Sequence, residues 1–180
     1  MRVVAGELRG RRLTAPPGRG TRPTADRVRE ALFSILGDLE GLRVLDLFAG
    51  SGALGIEALS RGASEAVFVD SSREAVAVVR SNLRVLALEA EVHRRDALAF
   101  LAAPDGQSTF DVAFVDPPYD CASRLAAPLA ERLPARLTED ARIVTESDKR
   151  RPLLMPFPLV RERTYGDTRI AVHRVKLGEE

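Results

Sequence analysis

Two short stretches of this sequence combine residue types and spacings that can do chemistry. The first is Asp116-Pro117-Pro118-Tyr119, which closes the apolar run beginning at Asp111. Pro117 and Pro118 lack backbone N–H groups and fix φ, so the turn is stiff and its carbonyls are held in place. Such stiffness suits an exocyclic amine on an aromatic base, a poor nucleophile because its lone pair is delocalised into the ring. Acceptors on the Asp116 side chain and the Pro117 carbonyl would take both amino hydrogens and aim the lone pair at an electrophile. Positioning of that kind supplies a large part of many rate enhancements. Tyr119 is placed to stack on the ring and clamp it.

The second stretch is Val44-Leu-Asp-Leu-Phe-Ala-Gly-Ser-Gly-Ala-Leu-Gly55, which sets Gly50, Gly52 and Gly55 between an apolar run and a helical pattern. Glycines there let the backbone turn tightly and approach a ligand closely. Asp70 ends the next apolar run, twenty positions after Gly50, where a carboxylate meets ribose hydroxyls. That spacing serves NAD and S-adenosylmethionine equally. Three features favour the latter. Asp46 lies near the carboxyl end of the first strand, where it suits a cationic amino-acid head group and would repel a pyrophosphate. Asp96 follows the third strand, where it can meet an adenine amino group. The third feature is the Asp116 tetrapeptide. Each has a structural alternative, since Asp46 can brace the glycine loop and Asp96 can cap a helix.

Positioning these residues requires a particular arrangement of elements. Segments 43–48, 66–70, 90–94, 111–116 and 142–146 are short and rich in Val, Leu, Ile and Phe. Helical patterns lie between them at about 53–61, 72–87, 96–102 and 122–133. Strands alternating with helices predict a parallel sheet covered on both faces. Segments 159–164 and 169–175 alternate about Gly166-Asp167, a hairpin signal. A Rossmann-like α/β fold, mostly parallel and ending in an antiparallel hairpin, is the architecture of class I S-adenosylmethionine-dependent methyltransferases. Upstream, Thr24 to Leu36 carries apolar residues at helical spacing, at 28, 31, 32, 35 and 36, with Thr24 as the expected N-cap. The division expected is a basic N-terminal arm or hairpin over 1–23, followed by a methyltransferase domain over 24–180.

Charge is unevenly placed. Residues 1–30 hold eight arginines against three carboxylates, whereas the whole chain has a net charge of only +1. Lys149 and Lys176 are the only lysines, so the positive charge is almost all guanidinium, a group that forks onto phosphates and stacks on bases. Arg2, Arg9, Arg11, Arg12, Arg22, Arg27 and Arg29 are therefore candidates for contacting RNA. Cys121 is the only cysteine, which excludes an intrachain disulfide and a cysteine-cluster zinc site. With His93 and His173 as the only histidines and no partner spacing, no metal is expected. Cys121 reads as a packing residue. No apolar run is long enough to span a membrane, and residues 1–7 lack a secretory core, so a cytoplasmic location is expected.

With both motifs placed, the chain resembles the RsmD family of 16S rRNA guanine-N2 methyltransferases. The resemblance rests on Arg2-Val-Val-Ala-Gly-Glu-Leu-Arg-Gly-Arg-Arg-Leu13, Thr21-Arg-Pro-Thr-Ala-Asp-Arg-Val-Arg-Glu-Ala-Leu-Phe33, the segment Asp46 to Glu57, and Asp116-Pro-Pro-Tyr119. The last two are shared by many amino-methyltransferases, and the Arg-Pro-Thr-x-Asp-Arg-Val-Arg-Glu segment is the specific one. The resemblance implies methylation of a guanine of 16S rRNA in the small ribosomal subunit or its assembly intermediate, with S-adenosylhomocysteine as product. It also implies a monomer. The candidate cofactor contacts are Asp46, Phe48, Gly50, Gly52, Asp70, Ser71, Asp96, Ala97 and Asp116, and the candidate catalytic residues are Asp116, Pro117, Pro118 and Tyr119. Asp96 stands where some relatives have Asn, and Ser72 where some have Asp. Transfer to a DNA adenine or a protein glutamine is the alternative, since the Pro-Pro-Tyr chemistry serves those amines too.

Overall fold

The computed structural model describes residues 1–16, 26–103, 109–118 and 120–176. Tyr119, Arg22 and the expected N-cap Thr24 lie outside the described residues. Seven strands form one sheet: β1 (Arg43–Leu47), β2 (Glu65–Asp70), β3 (Glu91–Arg94), β4 (Phe110–Val115), β5 (Leu137–Asp148), β6 (Leu159–Tyr165) and β7 (Thr168–Arg174). Their order is β3-β2-β1-β4-β5-β7-β6. The first five pair in parallel, and β7 is antiparallel to both β5 and β6. The order reverses at β1 and β4, so a crevice opens beyond their carboxyl ends. Both chemistry-bearing segments leave the sheet there.

Helices α1 (Asp26–Leu36), α2 (Ala53–Ser60) and α3 (Arg73–Val85) cover one face, and α4 (Ala97–Leu101) and α5 (Ala122–Arg132) cover the other. A single 3-10 turn, Leu133–Arg136, follows α5. Strand alternation divides the core. Val44, Phe68, Phe114 and Val144 pack beneath α1–α3, and Leu45, Val69, Val115 and Ile143 pack beneath α4 and α5. The helix patterns hold in type and place. Ser72 caps α3 by accepting from the Ala75 amide at 3.3 Å, and Asp96 caps α4.

One expectation needs correction. Strand β5 begins five residues before its predicted start and runs two past its predicted end. Pairing of Phe110 with Leu137, across a register shift in β4, starts the strand ahead of the apolar segment. At the N-terminus, residues 1–14 form a hairpin bridged at Arg2 and Arg12, and it is docked on the domain. Val3 and Leu13 are buried in the first core. The Glu57 carboxylate of α2 accepts from the Val4 and Ala5 amides at 2.7 and 2.9 Å. Gly6 has φ of +79°, and a Cβ there would sit 1.7 Å from the Ser60 carbonyl oxygen. Only glycine permits that approach.

Candidate active site

The glycine loop leaves β1 through Phe48, whose φ is +63°. A bulky residue in that region carries roughly 1–3 kcal/mol of strain, and such strain concentrates at ligand sites. The loop is then bound back to the sheet. The Ala49 amide donates to the Val69 carbonyl at 3.0 Å, and the Gly52 amide to the Ala49 carbonyl at 2.7 Å. Gly55 allows α2 to lie against β2, because a Cβ there would come within 2.3 Å of the Phe68 ring. The turn leaves space beside Gly50, where a Cβ would meet only the Phe48 carbonyl at 3.9 Å, whereas Gly52 is buried with Phe68 and Val79 3.3 Å from its Cβ position.

Asp70 ends β2 and ties its carboxylate into this turn. One oxygen accepts from the Gly50 amide at 2.9 Å and the other from the Ser72 amide at 2.8 Å. Two hydrogen bonds fix the carboxylate while leaving lone pairs for a diol. Ser71 is exposed beside it. Asp46 is 2% exposed and accepts from the Gly55 amide at 2.9 Å. Burial pushes its carboxyl up from 3.8 to about 7, against the pull of the Gly55 N–H and with added repulsion from Asp70. A cationic group would relieve that penalty, so the residue fits the head-group role and braces the loop at once.

Asp96 lies two residues beyond β3 and accepts from the Ala99 amide at 3.0 Å. It serves as a helix cap, and its side chain remains exposed. Ala97 buries its side chain in the second core, so it can offer a ligand only backbone. The Arg95 amide donates to the Asp70 carbonyl at 3.1 Å, holding these two corners together.

Asp116 lies one residue past β4, where Leu47 of β1 pairs with Val115. Burial, then the nearby charges of Glu146 and Asp46, hold its carboxyl well above the usual carboxylate range. The turn closes when the Cys121 amide donates to the Pro118 carbonyl at 2.9 Å. Pro117 is buried and Pro118 exposed. Asp46, Gly50, Gly52, Asp70 and Asp116 thus share one edge of the sheet. Glu146 joins them in β5, one residue past its parallel pairing with β4 and 5% exposed, and the sequence reading gave it no role. Its signal was present: it closes the apolar segment 142–146 as Asp70 and Asp116 close theirs. Among the described residues, no three of these side chains form a cluster able to hold a metal ion.

The candidate RNA-contacting arginines divide. Arg2, Arg9, Arg11, Arg12 and Arg27 are exposed, although Arg2 pairs with Asp26 at 2.9 Å and Arg11 donates to the Val85 carbonyl at 3.2 Å. Arg29 is a correction. It is 1% exposed and donates to the Arg2 carbonyl and, at 2.9 Å, to Asp26. It clamps α1 to the hairpin and is unavailable to a phosphate. Its position with Leu32, Phe33 and Leu36 on one helical face was the overlooked signal.

Residues 1–174 match the model of the family described as conserved hypothetical protein 95. The chain belongs to this family. A candidate rRNA methyltransferase of Bacillus subtilis, YlbH, is 42% identical over 190 residues, spanning 97% of this chain and 98% of its own. Ribosomal RNA small subunit methyltransferase D of Haemophilus influenzae is 38% identical over 174 residues, 92% of this chain and 89% of its own. The solved structure of yhhF, a candidate methyltransferase of Escherichia coli, superposes with a TM-score of 0.82. It is 34% identical and covers 97% of both chains. The fold is that of a class I S-adenosylmethionine-dependent methyltransferase, as the sheet order implies. No described helix is long and apolar enough to cross a membrane.

Proposed function

We propose that this chain transfers a methyl group from S-adenosylmethionine to the exocyclic N2 of one guanine in 16S rRNA, acting on the small ribosomal subunit or its assembly intermediate. The observation that carries this reading is the stiff Asp116-Pro117-Pro118 turn beside the glycine loop, on the adjacent strand ends β4 and β1. Family membership supports rRNA as the substrate. When bound, the cofactor supplies an electrophilic methyl carbon, which bonds to the amine nitrogen as the carbon–sulfur bond breaks.

The protein's part is to bind and to aim. Asp46 would hold the cationic head group, the Gly50–Gly52 backbone the amino-acid portion, Asp70 the ribose hydroxyls, and Asp96 the adenine amine. Phe48, Ser71 and Ala97 would supply the neighbouring contacts. Asp116 and the Pro117 carbonyl accept the two amino hydrogens of the base, Pro118 stiffens the turn, and Tyr119 stacks. As positive charge develops on the nitrogen, Asp116 becomes its counter-charge and then takes the proton. Burial, and after it the charges of Glu146 and Asp46, raise its proton affinity and make it fit for that step. Arg2, Arg9, Arg11, Arg12, Arg22 and Arg27 contact phosphates, giving affinity and orientation but little sequence information. Selection of one guanine must then come from the folded subunit, which presents an unstacked base. The enzyme works as a monomer in the compartment that holds the ribosomes.

The test is methyl transfer from labelled S-adenosylmethionine to small subunits from cells lacking the enzyme, deproteinised 16S rRNA, DNA and protein extract. Nucleoside analysis of the product follows. N2-methylguanosine from subunits is the expected result. A methyl group on adenine or glutamine would replace this reading with the alternative amino-methyltransferase one.

A further inference from the structure

Glu146 has no part in the chemistry above, yet the fold brings it beside the reacting position. Val115 of β4 pairs with Thr145 of β5 in parallel register. Asp116 and Glu146 therefore follow on adjacent chains about 4.8 Å apart at the backbone. Strand alternation fixes their side. Val44, Phe114 and Val144 all belong to the core beneath α1–α3, so the residues two further along, Asp46, Asp116 and Glu146, face that same side at the strand ends. Thr145, which precedes Glu146, is fully buried, and Ile170 of β7 pairs with Glu146 on the flank away from β4. A carboxylate within a paired strand is far stiffer than one on a loop.

We propose that Glu146 accepts the N1–H of the target guanine and so makes the site specific for guanine over adenine. This rests on the guanine reading given above. Guanine presents N1–H and an N2 hydrogen side by side on its Watson–Crick edge, both of them donors. Two adjacent carboxylates match that edge, Asp116 taking the amino hydrogen and Glu146 the ring hydrogen. Adenine presents an unprotonated N1, an acceptor, which would leave a buried carboxylate facing a lone pair. Sites built to accept an N–H discriminate strongly against analogues lacking it, here because a carboxylate and a ring lone pair repel. The nearness of Glu146 to Asp116 is costly in the free protein, and a donor-rich edge offsets that cost.

The experiment first maps the base methylated by the parent enzyme on subunits from cells lacking the enzyme. Synthetic RNA is then ligated into 16S rRNA with either guanine or 2-aminopurine at that position, and subunits are reconstituted. The analogue 2-aminopurine keeps the exocyclic amino group but has an unprotonated N1. The parent should prefer guanine by about a hundredfold or more in kcat/KM. In Glu146→Gln the side chain offers one acceptor and one donor, so activity on guanine should fall by about thirtyfold or more while the preference collapses toward 2-aminopurine. A parent that accepts both bases equally, or a Gln variant with an unchanged ratio, overturns the role of Glu146 and leaves the guanine reading standing. A methyl group mapped to adenine or to protein removes both. Should Glu146→Gln fail to fold, the parent's own ratio and that of Glu146→Asp, which keeps the carboxylate, decide the matter.

Discussion

Replacing Asp46 with asparagine removes a buried charge while keeping an acceptor for the Gly55 amide. In the parent, burial raises this carboxyl from 3.8 to about 7. In the unfolded chain it titrates near ~3.9. Between those values the native state keeps a proton that the unfolded chain has lost. The stability contributed by the group is fully present below about pH 4 and lost as pH rises. The loss is up to about 1.4 kcal/mol per pH unit and levels off above about pH 7, a total near ~4 kcal/mol. Asp46→Asn removes this dependence. Urea unfolding of both proteins without cofactor, from about pH 5 to pH 8, should give a parent-minus-variant difference that falls with pH to about pH 7 and then flattens. Asp116 and His173 are also displaced from their ordinary ranges by burial; His173 cancels between the two proteins, and Asp116 loses only the smallest of its causes, the charge of Asp46. A second measurement follows from the cationic head group. Affinity of the parent for S-adenosylmethionine should rise toward neutral pH as Asp46 ionises, whereas the variant should bind weakly and without that slope. A stability difference flat within about 1 kcal/mol, or identical pH dependence of cofactor binding, would refute the assignment.

Asp116→Ala should lower single-turnover methylation by on the order of a hundredfold or more and change cofactor affinity far less; stopped-turnover assays with calorimetry separate the two. Asp70→Ala should weaken cofactor binding severely in a folded protein, as it also releases the Gly50 amide, and unchanged affinity by titration would remove it from the site. Replacing Arg9, Arg11 and Arg12 with glutamine should weaken binding to small subunits and flatten the dependence of log K on log salt. An unchanged salt slope would mark them as a solvated face. Arg29→Met should cost about 2 kcal/mol in urea unfolding through lost charged hydrogen bonds, with no change in that salt slope.

How much of this was legible in one dimension follows from the range of the forces involved. Local pattern determined the elements, because alternation and helical spacing report which side of each segment is buried. Gly50, Gly52, Asp70 and Asp116 were visible because turn geometry and strand-end position are short-range properties. Tertiary structure alone decided what depends on neighbours distant in sequence. Arg29 counts as a cation in a sequence, but packing against the hairpin turns it into a buried clamp. The arginine-rich arm is a docked hairpin because Glu57 and Ser60, more than fifty residues away, satisfy its amides. The full length of β5 depends on pairing with β4 and β7, which no local propensity of Thr138 to Asp140 encodes. Glu146 is the same case at the site. Its residue type is plain in the sequence, but strand order and register place it beside Asp116, and both are set by the packing of the whole sheet.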